Sequence, residues 1–205
     1  MSTIIEPVVL TGRRIRLEPL SLAHVTDLTI AGQDENIWRY MLYGTVKTEQ
    51  QMRAWVTDLL ERQAQGTDLP FGVIMLKTGQ AIGATRYLEI RPEHRGLEIG
   101  GTWYAVTYQR TAVNTEAKYL LLRHAFETLG CIRVQFKTDL RNERSQRALE
   151  RIGGVREGIL RKHMITPDGH LRDSVYYSII DSEWPVVKQK LERMLVSESY
   201  PSLPA

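Results

Sequence analysis

The stretch from Thr107 to Lys118, TYQRTAVNTEAK, lies between an extended segment that carries glycines and a strongly helical segment. A helix that follows a strand leaves its first backbone N–H groups without intrahelical partners, and with the helix dipole these groups attract anions. Arg110 adds a guanidinium fork suited to phosphate, and Asn114 or Thr115 can cap the helix. A plain connection, with Asn114 as N-cap and Arg110 in solvent, is the favoured interpretation of these residues alone, because a short motif without glycine is a weak signal.

The elements that must position this turn begin near the N-terminus. In RRIRLEPL, Ile15 and Leu17 alternate with charged residues, which predicts a strand that ends at Pro19. SLAHVTDLTIAG predicts a helix that stops at its glycine. TEQQMRAWVTDLLERQAQG predicts a longer helix with Thr48 as its cap. The apolar stripe of that helix comprises Met52, Trp55, Val56, Leu59 and Leu60.

The hydrophobic period then changes from helical to strand-like. PFGVIMLKTGQAIGATRYLEI predicts two strands joined by a hairpin at Thr78-Gly79-Gln80. RGLEIGGTWYAV predicts a third strand, directly before the turn. Gly100 and Gly101 are poor strand residues, so this pair indicates a β-bulge or the close approach of another backbone.

The second half of the chain alternates helices and strands. NTEAKYLLLRHAFETLG predicts a long helix that ends at Gly130, and IRVQFKTDL predicts a strand. NERSQRALERIGG predicts a short helix with Asn142 as N-cap. A hairpin around Pro167–Gly169 and a terminal helix from SEWP complete the order.

This order predicts a mixed α/β fold. The strand–helix–strand unit in the middle implies one parallel crossover, and the hairpins make the rest of the central sheet antiparallel. At 205 residues, a single domain over 1–205 is expected, with a core of about 12–197 and a flexible tail at 198–205.

Composition excludes several classes of function. The net charge of +3 is too small and dispersed to indicate nucleic-acid binding, and no apolar run is long enough for a membrane span. Cys131 is the only cysteine and has no visible paired base, which favours packing over a nucleophilic role. The five histidines show no ligand spacing, so no metal is predicted. Without a signal peptide, a cytoplasmic location is expected.

Four segments in this order resemble a known family. They are RRIRLEPL, LEIGGTWYAVTYQRTAVNTEA, TDLRNERSQRALERIGGVREG and DGHLRDSVYYSIIDSEWP. Together they resemble the GNAT family of acetyl-CoA-dependent N-acetyltransferases, and most closely the branch that includes ribosomal-protein N-terminal-alanine and -serine acetyltransferases. The resemblance covers nearly the whole chain. It implies the acyl-CoA N-acyltransferase fold and direct transfer of an acetyl group from acetyl-CoA to a primary amine in a ternary complex.

The resemblance also implies where CoA binds. The family's pyrophosphate loop is usually Q/R-x-x-G-x-G/A; Gln109 matches its first position, whereas Ala112 and Asn114 stand where glycines are expected. Backbone N–H groups of the loop then hold the pyrophosphate, and GTWYAV holds the pantetheine arm as an added strand would. The implied CoA-binding residues are Tyr104, Ala105, Val106, Gln109, Arg110, Thr111, Ala112, Val113, Asn114, Thr115, Asn142 and Ser145.

Amide formation from a thioester needs a neutral amine, a donor for the oxyanion and a proton for the leaving thiolate. Glu98, just before the glycine pair, is the predicted base, because the family often has a carboxylate there; a surface carboxylate is an equal alternative. Glu89 and Glu116 are weaker candidates, and the helix dipole explains Glu116 more simply. Ser145 is the predicted general acid, with a surface hydroxyl as its alternative. Asn142 is expected to reach the CoA arm as well as cap its helix.

The acceptor is the least determined part. Trp38 and Trp103 are predicted to wall its pocket, although aromatic residues at such positions are more often core. The expected acceptor is a protein N-terminus or a small amine, and the expected state is a monomer or homodimer. Two alternatives stay open at this point: a non-catalytic acyl-CoA-binding or regulatory module on the same fold, and an interaction protein that binds no CoA.

Overall fold

The computed structural model of the protein describes residues 6–197. Its centre is an eight-stranded sheet in the order β1-β2-β3-β4-β5-β6-β8-β7. The strands are β1 Leu10–Thr11, β2 Ile15–Pro19, β3 Leu69–Met75, β4 Ala81–Arg91, β5 Gly96–Tyr104, β6 Arg133–Asp139, β7 Val155–Ile165 and β8 Leu171–Ile180. The helices are α1 Val25–Ala31, α2 Glu49–Ala64, α3 Ala112–Arg123, α4 Glu143–Arg151 and α5 Trp184–Ser197.

The pairing of the strands confirms the predicted fold class. β5 and β6 are parallel and are joined through α3, and the other neighbouring pairs in the sheet are antiparallel. The hairpin between β3 and β4 turns at Gly79, whose φ of +72° suits glycine. Among residues 6–197 there is no helix with the length and apolar character that a membrane crossing needs.

Two apolar clusters pack against the sheet. The first joins α3, α4 and α5 to strands that include β5, β6 and β8, through side chains such as Leu97, Val134 and Val175. The second joins α1 and α2 to β3, β4 and the end of β5, through Ile74, Ala84 and Trp103 among others. Since side chains alternate along a strand, residues next to Leu97 and Val134 point to the opposite face of the sheet.

The predicted bulge is present in β5. Ala84 pairs with Trp103 and Arg86 pairs with Gly100, so two steps along β4 correspond to three along β5. Gly101 provides the extra residue and has a φ of +57°, a left-handed conformation that favours glycine. The bulge bends β5 at the point where it leaves β6.

Two helix boundaries differ from the sequence prediction. α3 begins at Ala112 with Thr111 as its cap, so Asn114 lies inside the first turn and the prediction of Asn114 as N-cap is wrong. The first predicted helix starts with a 3₁₀ turn at Leu22–His24 before α1. The predicted tail at 198–205 lies outside the described residues.

Candidate active site

The site is organised around the gap between β5 and β6. These strands pair along only three residues each, and the last pair is Glu98 with Gln135. β5 nevertheless continues to Tyr104, and β6 continues to Asp139. The strands therefore part after Glu98, and their unpaired backbone groups leave room for an extended ligand to add to β5 as a strand would.

Glu98 stands at the apex of this gap. Its side chain is 2% exposed, so the alternative of a surface carboxylate is wrong. It accepts a hydrogen bond from Gln135 Nε2 at 3.1 Å and lies 3.6 Å from Lys137 Nζ. A buried carboxylate with a polar partner and a cation is held in a defined orientation.

Lys118 reaches the same gap from the other face of the sheet, and sequence reasoning missed it. The side chain is 5% exposed; Nζ donates to Thr102 Oγ1 at 2.8 Å and lies 5.8 Å from the centre of the Phe136 ring. Burial lowers the pKa of Lys118 to about 7, against the opposing effect of the Glu98 charge. A signal was available, because Lys118 lies three positions before Leu121, on the side of α3 that its apolar residues bury.

The turn before α3 is braced by side chains rather than by glycines. Gln109 Nε2 donates to the Tyr104 carbonyl oxygen at 3.0 Å, and Gln109 Oε1 accepts from Arg144 at 2.6 Å. Arg110 has a φ of +60°, the left-handed conformation that a glycine would otherwise provide. This left-handed residue precedes the two positions where the family pattern has glycine, and those positions, Ala112 and Asn114, belong to the first turn of α3.

The start of α3 has the donors that a phosphate needs. The Thr111 hydroxyl accepts the Val113 N–H at 3.3 Å. Ala112 and Asn114 lie in the first turn of α3, where backbone N–H groups lack intrahelical acceptors. Tyr104 is buried, which raises the pKa of its phenol, and its hydroxyl donates to Asn114 Oδ1 at 3.4 Å. These residues fit the pyrophosphate of CoA through backbone donors.

Asn142 caps α4 as predicted. Its side-chain oxygen accepts the Ser145 N–H at 3.1 Å, which places the half-buried Ser145 in the first turn of that helix. α4 follows β6 and therefore begins at the edge of the gap. The reach of Asn142 to CoA and the role of Ser145 as acid stay predictions.

The two tryptophans predicted for the acceptor pocket lie in the second apolar cluster. Both are buried, with ring centroids 4.9 Å apart, and Trp38 Nε1 donates to the Gly32 carbonyl oxygen at 2.7 Å. This arrangement agrees with the core alternative. Substrate contact by either ring is a prediction that the packing does not support.

The remaining candidates have other partners. Glu116 is buried and accepts the backbone N–H groups of Arg13 and Arg14, so it ties α3 to the turn between β1 and β2. Glu89 is exposed and lies 3.2 Å from Arg91. Burial raises the pKa of Cys131 to about 11, so its thiol is protonated at neutral pH and suits packing.

Comparison with known proteins decides the family. Residues 14–155 match the family described as "Acetyltransferase (GNAT) domain". The chain belongs to the GNAT family of acetyltransferases. This GNAT protein is 27% identical over 169 residues to a Bacillus subtilis (strain 168) protein named "Putative ribosomal N-acetyltransferase YdaF". The aligned residues cover 82% of this chain and 90% of the relative.

Solved structures agree with this family. A GCN5-related N-acetyltransferase from Brucella melitensis is 30% identical and has a TM-score of 0.90, with 98% of this chain and 90% of that chain covered. Mycobacterium smegmatis RimJ, solved in complex with CoA-disulfide, is 20% identical with a TM-score of 0.75 and 91% of each chain covered, which shows the shared fold. The predicted family and fold are confirmed, and the Bacillus subtilis relative carries a name that matches the predicted ribosomal branch. The GNAT protein is an acetyl-CoA-dependent N-acetyltransferase.

Among the described residues, no group of three or more His, Cys, Asp or Glu side chains is placed to hold a metal ion.

Proposed function

We propose that this enzyme transfers the acetyl group of acetyl-CoA directly to the primary amine of a second bound molecule, with Glu98 as the base. The observation that carries the proposal is the buried Glu98 carboxylate at the point where β5 and β6 part. A protein N-terminus or a small amine is the acceptor. An N-terminal amine has an ordinary pKa of about 8, whereas that of a lysine amine is about 10.4. At neutral pH the N-terminal amine therefore loses its proton to a carboxylate base more easily than the lysine amine does. The name of the Bacillus subtilis relative, "Putative ribosomal N-acetyltransferase YdaF", also favours an acceptor amine on a ribosomal component.

CoA is held by the turn and the strand next to it. Backbone N–H groups from Arg110 to Asn114 bind the pyrophosphate, because the first turn of α3 leaves donors free. Backbone groups of Tyr104, Ala105 and Val106 bind the pantetheine arm along the unpaired side of β5. Acetyl-CoA supplies the activated acetyl group.

The chain's own groups move the protons. Glu98, directly or through a water molecule, accepts the proton that the acceptor amine loses as its bond to the acetyl carbon forms. Ser145, at the start of α4, relays a proton to the sulfur that leaves: its hydroxyl donates to the sulfur and regains a proton from a water molecule. Gln135 and Lys137 hold the carboxylate of Glu98 in place. Both substrates must be bound together, since no covalent enzyme intermediate is needed.

Glu98→Gln tests this function, because the amide keeps the shape of the side chain and cannot accept the proton. We expect kcat to fall by about 10²-fold or more, with the affinity for CoA unchanged. Release of free thiol from acetyl-CoA, in the presence of peptides with N-terminal alanine or serine and of small amines, measures the rate. Glu89→Gln is the matched control, since Glu89 is exposed and lies in the neighbouring strand. Full activity of Glu98→Gln would rule out Glu98 as the base. Tight CoA binding without acetyl transfer by the wild type would favour a non-catalytic module instead.

A further inference from the structure

Half of one sheet face is polar. The second apolar cluster, described above, contains residues of β3, β4 and β5 but none of β6, β7 or β8 among the described residues. On the same face, β5, β6 and β8 instead present polar side chains, which are largely buried. We call this surface the polar floor; its members are Glu98, Gln135, Lys137, Asp139, Arg172 and Ser174. The proposed base is therefore part of a larger buried polar surface.

Most charges on the polar floor have a partner of opposite sign. Glu98 lies 3.6 Å from Lys137, and Asp139 lies 2.8 Å from Arg141. Arg172 differs from them. It is 5% exposed, yet within residues 6–197 it has no carboxylate oxygen within 4.0 Å. Buried charges in proteins are normally paired or bound to a ligand.

Among the described residues, the hydrogen bonds of Arg172 go to neutral acceptors. Nε donates to Ser174 Oγ at 3.2 Å, and Nη1 donates to the Tyr40 carbonyl oxygen at 3.4 Å. A guanidinium has five N–H donors. The two long bonds leave most of these donors available to a planar anion such as a carboxylate, which an arginine can bind through two parallel hydrogen bonds.

Lysine and arginine respond differently to such burial. Lys118 is also buried, and burial lowers its pKa to about 7, so it loses its proton and its charge near neutral pH. Burial also lowers the pKa of Arg172, but an arginine starts so high that it keeps its proton at neutral pH. The charge of Arg172 therefore stays, and the carboxylates of Asp139 and Glu98 act on it only from beyond ion-pair distance, so a bound anion would compensate it directly.

Arg172 lies on the face of the sheet opposite α3, the helix that begins at the proposed CoA pyrophosphate site. Tyr40 belongs to the segment between α1 and α2, and its carbonyl oxygen contacts the guanidinium, so this segment passes over the polar floor. α3, which supplies the CoA pyrophosphate site, packs on the opposite face of the sheet. The charges of Asp139 and, to a smaller extent, Glu98 act on Arg172, which puts both carboxylates within electrostatic range of the guanidinium.

We infer that Arg172 binds a carboxylate of the acceptor molecule, so that the amine which Glu98 deprotonates belongs to a compound that also carries an acid group. This inference rests on the proposed function and narrows its acceptor class. Polyamines are excluded, because they would bring further positive charge to Arg172. The carboxylate is either the α-carboxylate of a free amino acid or an acidic side chain near the N-terminus of a peptide.

Matched acid and amide acceptors test the inference. One pair is alanine and alaninamide, and the other is alanyl-glutamyl-alaninamide and alanyl-glutaminyl-alaninamide. For at least one pair, we expect the wild type to show a kcat/KM for the acid that is about tenfold or more above that for the amide. In Arg172→Gln this ratio should fall to about one, and Arg172→Lys should keep part of it. The pair in which the acid has the higher kcat/KM identifies the source of the carboxylate, a free amino acid or an acidic peptide side chain.

The controls separate recognition from structure. If Arg172 only fixes the Tyr40 segment, Arg172→Gln slows all four acceptors alike and the ratio persists, which overturns the inference. Equal use of acid and amide by the wild type in both pairs overturns it as well. Arg193→Gln is the matched control, because Arg193 is exposed on α5 and bonds only within that helix among the described residues; it should keep the wild-type ratio.

A binding measurement decides the inference independently of turnover and of the variants' folding. The N-acetylated forms of the same four compounds are titrated calorimetrically into the wild type saturated with CoA. An acid form that binds about tenfold tighter than its amide supports the carboxylate site, and equal affinities within both pairs overturn it. Failure of acetyl transfer to every acceptor would count against the proposed function, whereas this titration would still decide the role of Arg172.

Discussion

At the scale of single residues, three buried charges dominate the site. Glu98 and Lys118 approach the gap between β5 and β6 from opposite faces of the sheet, and Arg172 lies on the polar floor. Their chemistry differs because their surroundings differ: Glu98 has a cation beside it, whereas Lys118 has one neutral hydroxyl acceptor. Burial without a close countercharge is what lowers the pKa of Lys118 to about 7.

The lowered pKa of Lys118 predicts a pH dependence of stability. The folded protein binds this proton less tightly than the unfolded chain, where the ordinary value is 10.5. The free energy of unfolding should therefore rise with pH between about 7 and 10, by up to about 1.4 kcal/mol per pH unit, and level off below pH 7, where both states are protonated.

Urea unfolding of the wild type and Lys118→Met between pH 6 and pH 9 checks this prediction. The wild type should gain stability relative to the variant as the pH rises from 7 to 9, because the variant has no proton to lose at this position. Lys190→Met, at an exposed position on α5, should follow the wild type. Parallel curves for the wild type and Lys118→Met would contradict the lowered pKa.

At the scale of elements, the start of α3 shows how side chains can fix a turn that contains no glycine. Arg110 takes the left-handed conformation, Thr111 caps the helix and Gln109 braces the turn through two side-chain hydrogen bonds. The sequence prediction began the helix at Asn114 because asparagine is a good N-cap. Thr111 has the cap position instead, because its backbone is extended, with a φ of −113° and a ψ of 178°, and its hydroxyl faces the Val113 N–H.

The start of α3 allows a test of whether CoA is bound mainly by backbone N–H groups or by the Arg110 side chain. Proline is accepted at the first helical position, and the extended Thr111 suits a following proline, so Ala112→Pro should keep the fold and remove one N–H donor. We expect CoA affinity to fall by about tenfold. Arg110→Ala should have a smaller effect, because Arg110 is exposed.

Titration calorimetry with CoA measures both affinities. The melting temperature of each variant without ligand serves as the control and should stay near the wild-type value. A larger loss for Arg110→Ala than for Ala112→Pro would show that side-chain charge, rather than the backbone at the helix start, holds the pyrophosphate.

At the scale of the whole molecule, one sheet separates two apolar clusters, and the site occupies the interruption between β5 and β6. A ligand placed in that interruption lies between β5 and β6, which are separated along the chain by α3. Binding there should stabilise the folded state as a whole, since the unfolded chain lacks the site.

Acetyl-CoA should therefore raise the melting temperature. At a free concentration of 100 times Kd the gain is about 2.7 kcal/mol, which corresponds to roughly 5 to 10 °C for a chain of this size. Thermal shift measurements with acetyl-CoA and CoA should both show the increase, and ATP should show less, because it lacks the pantetheine arm. The absence of any shift at millimolar acetyl-CoA would contradict the proposed site.

The sequence by itself determined the elements and the family, because these depend on local patterns. The hydrophobic periods, the glycine pair of the bulge and the Asn142 cap each involve residues a few positions apart. Only the tertiary structure placed Lys118 against Thr102 and Arg172 against Tyr40, since the latter contact joins residues separated by 132 positions. Whether a buried charge finds a partner depends on such distant contacts. The family resemblance pointed to Glu98 through its place before the glycine pair; the helical spacing of Lys118 indicated burial, but neither its partner nor that of Arg172 could be predicted.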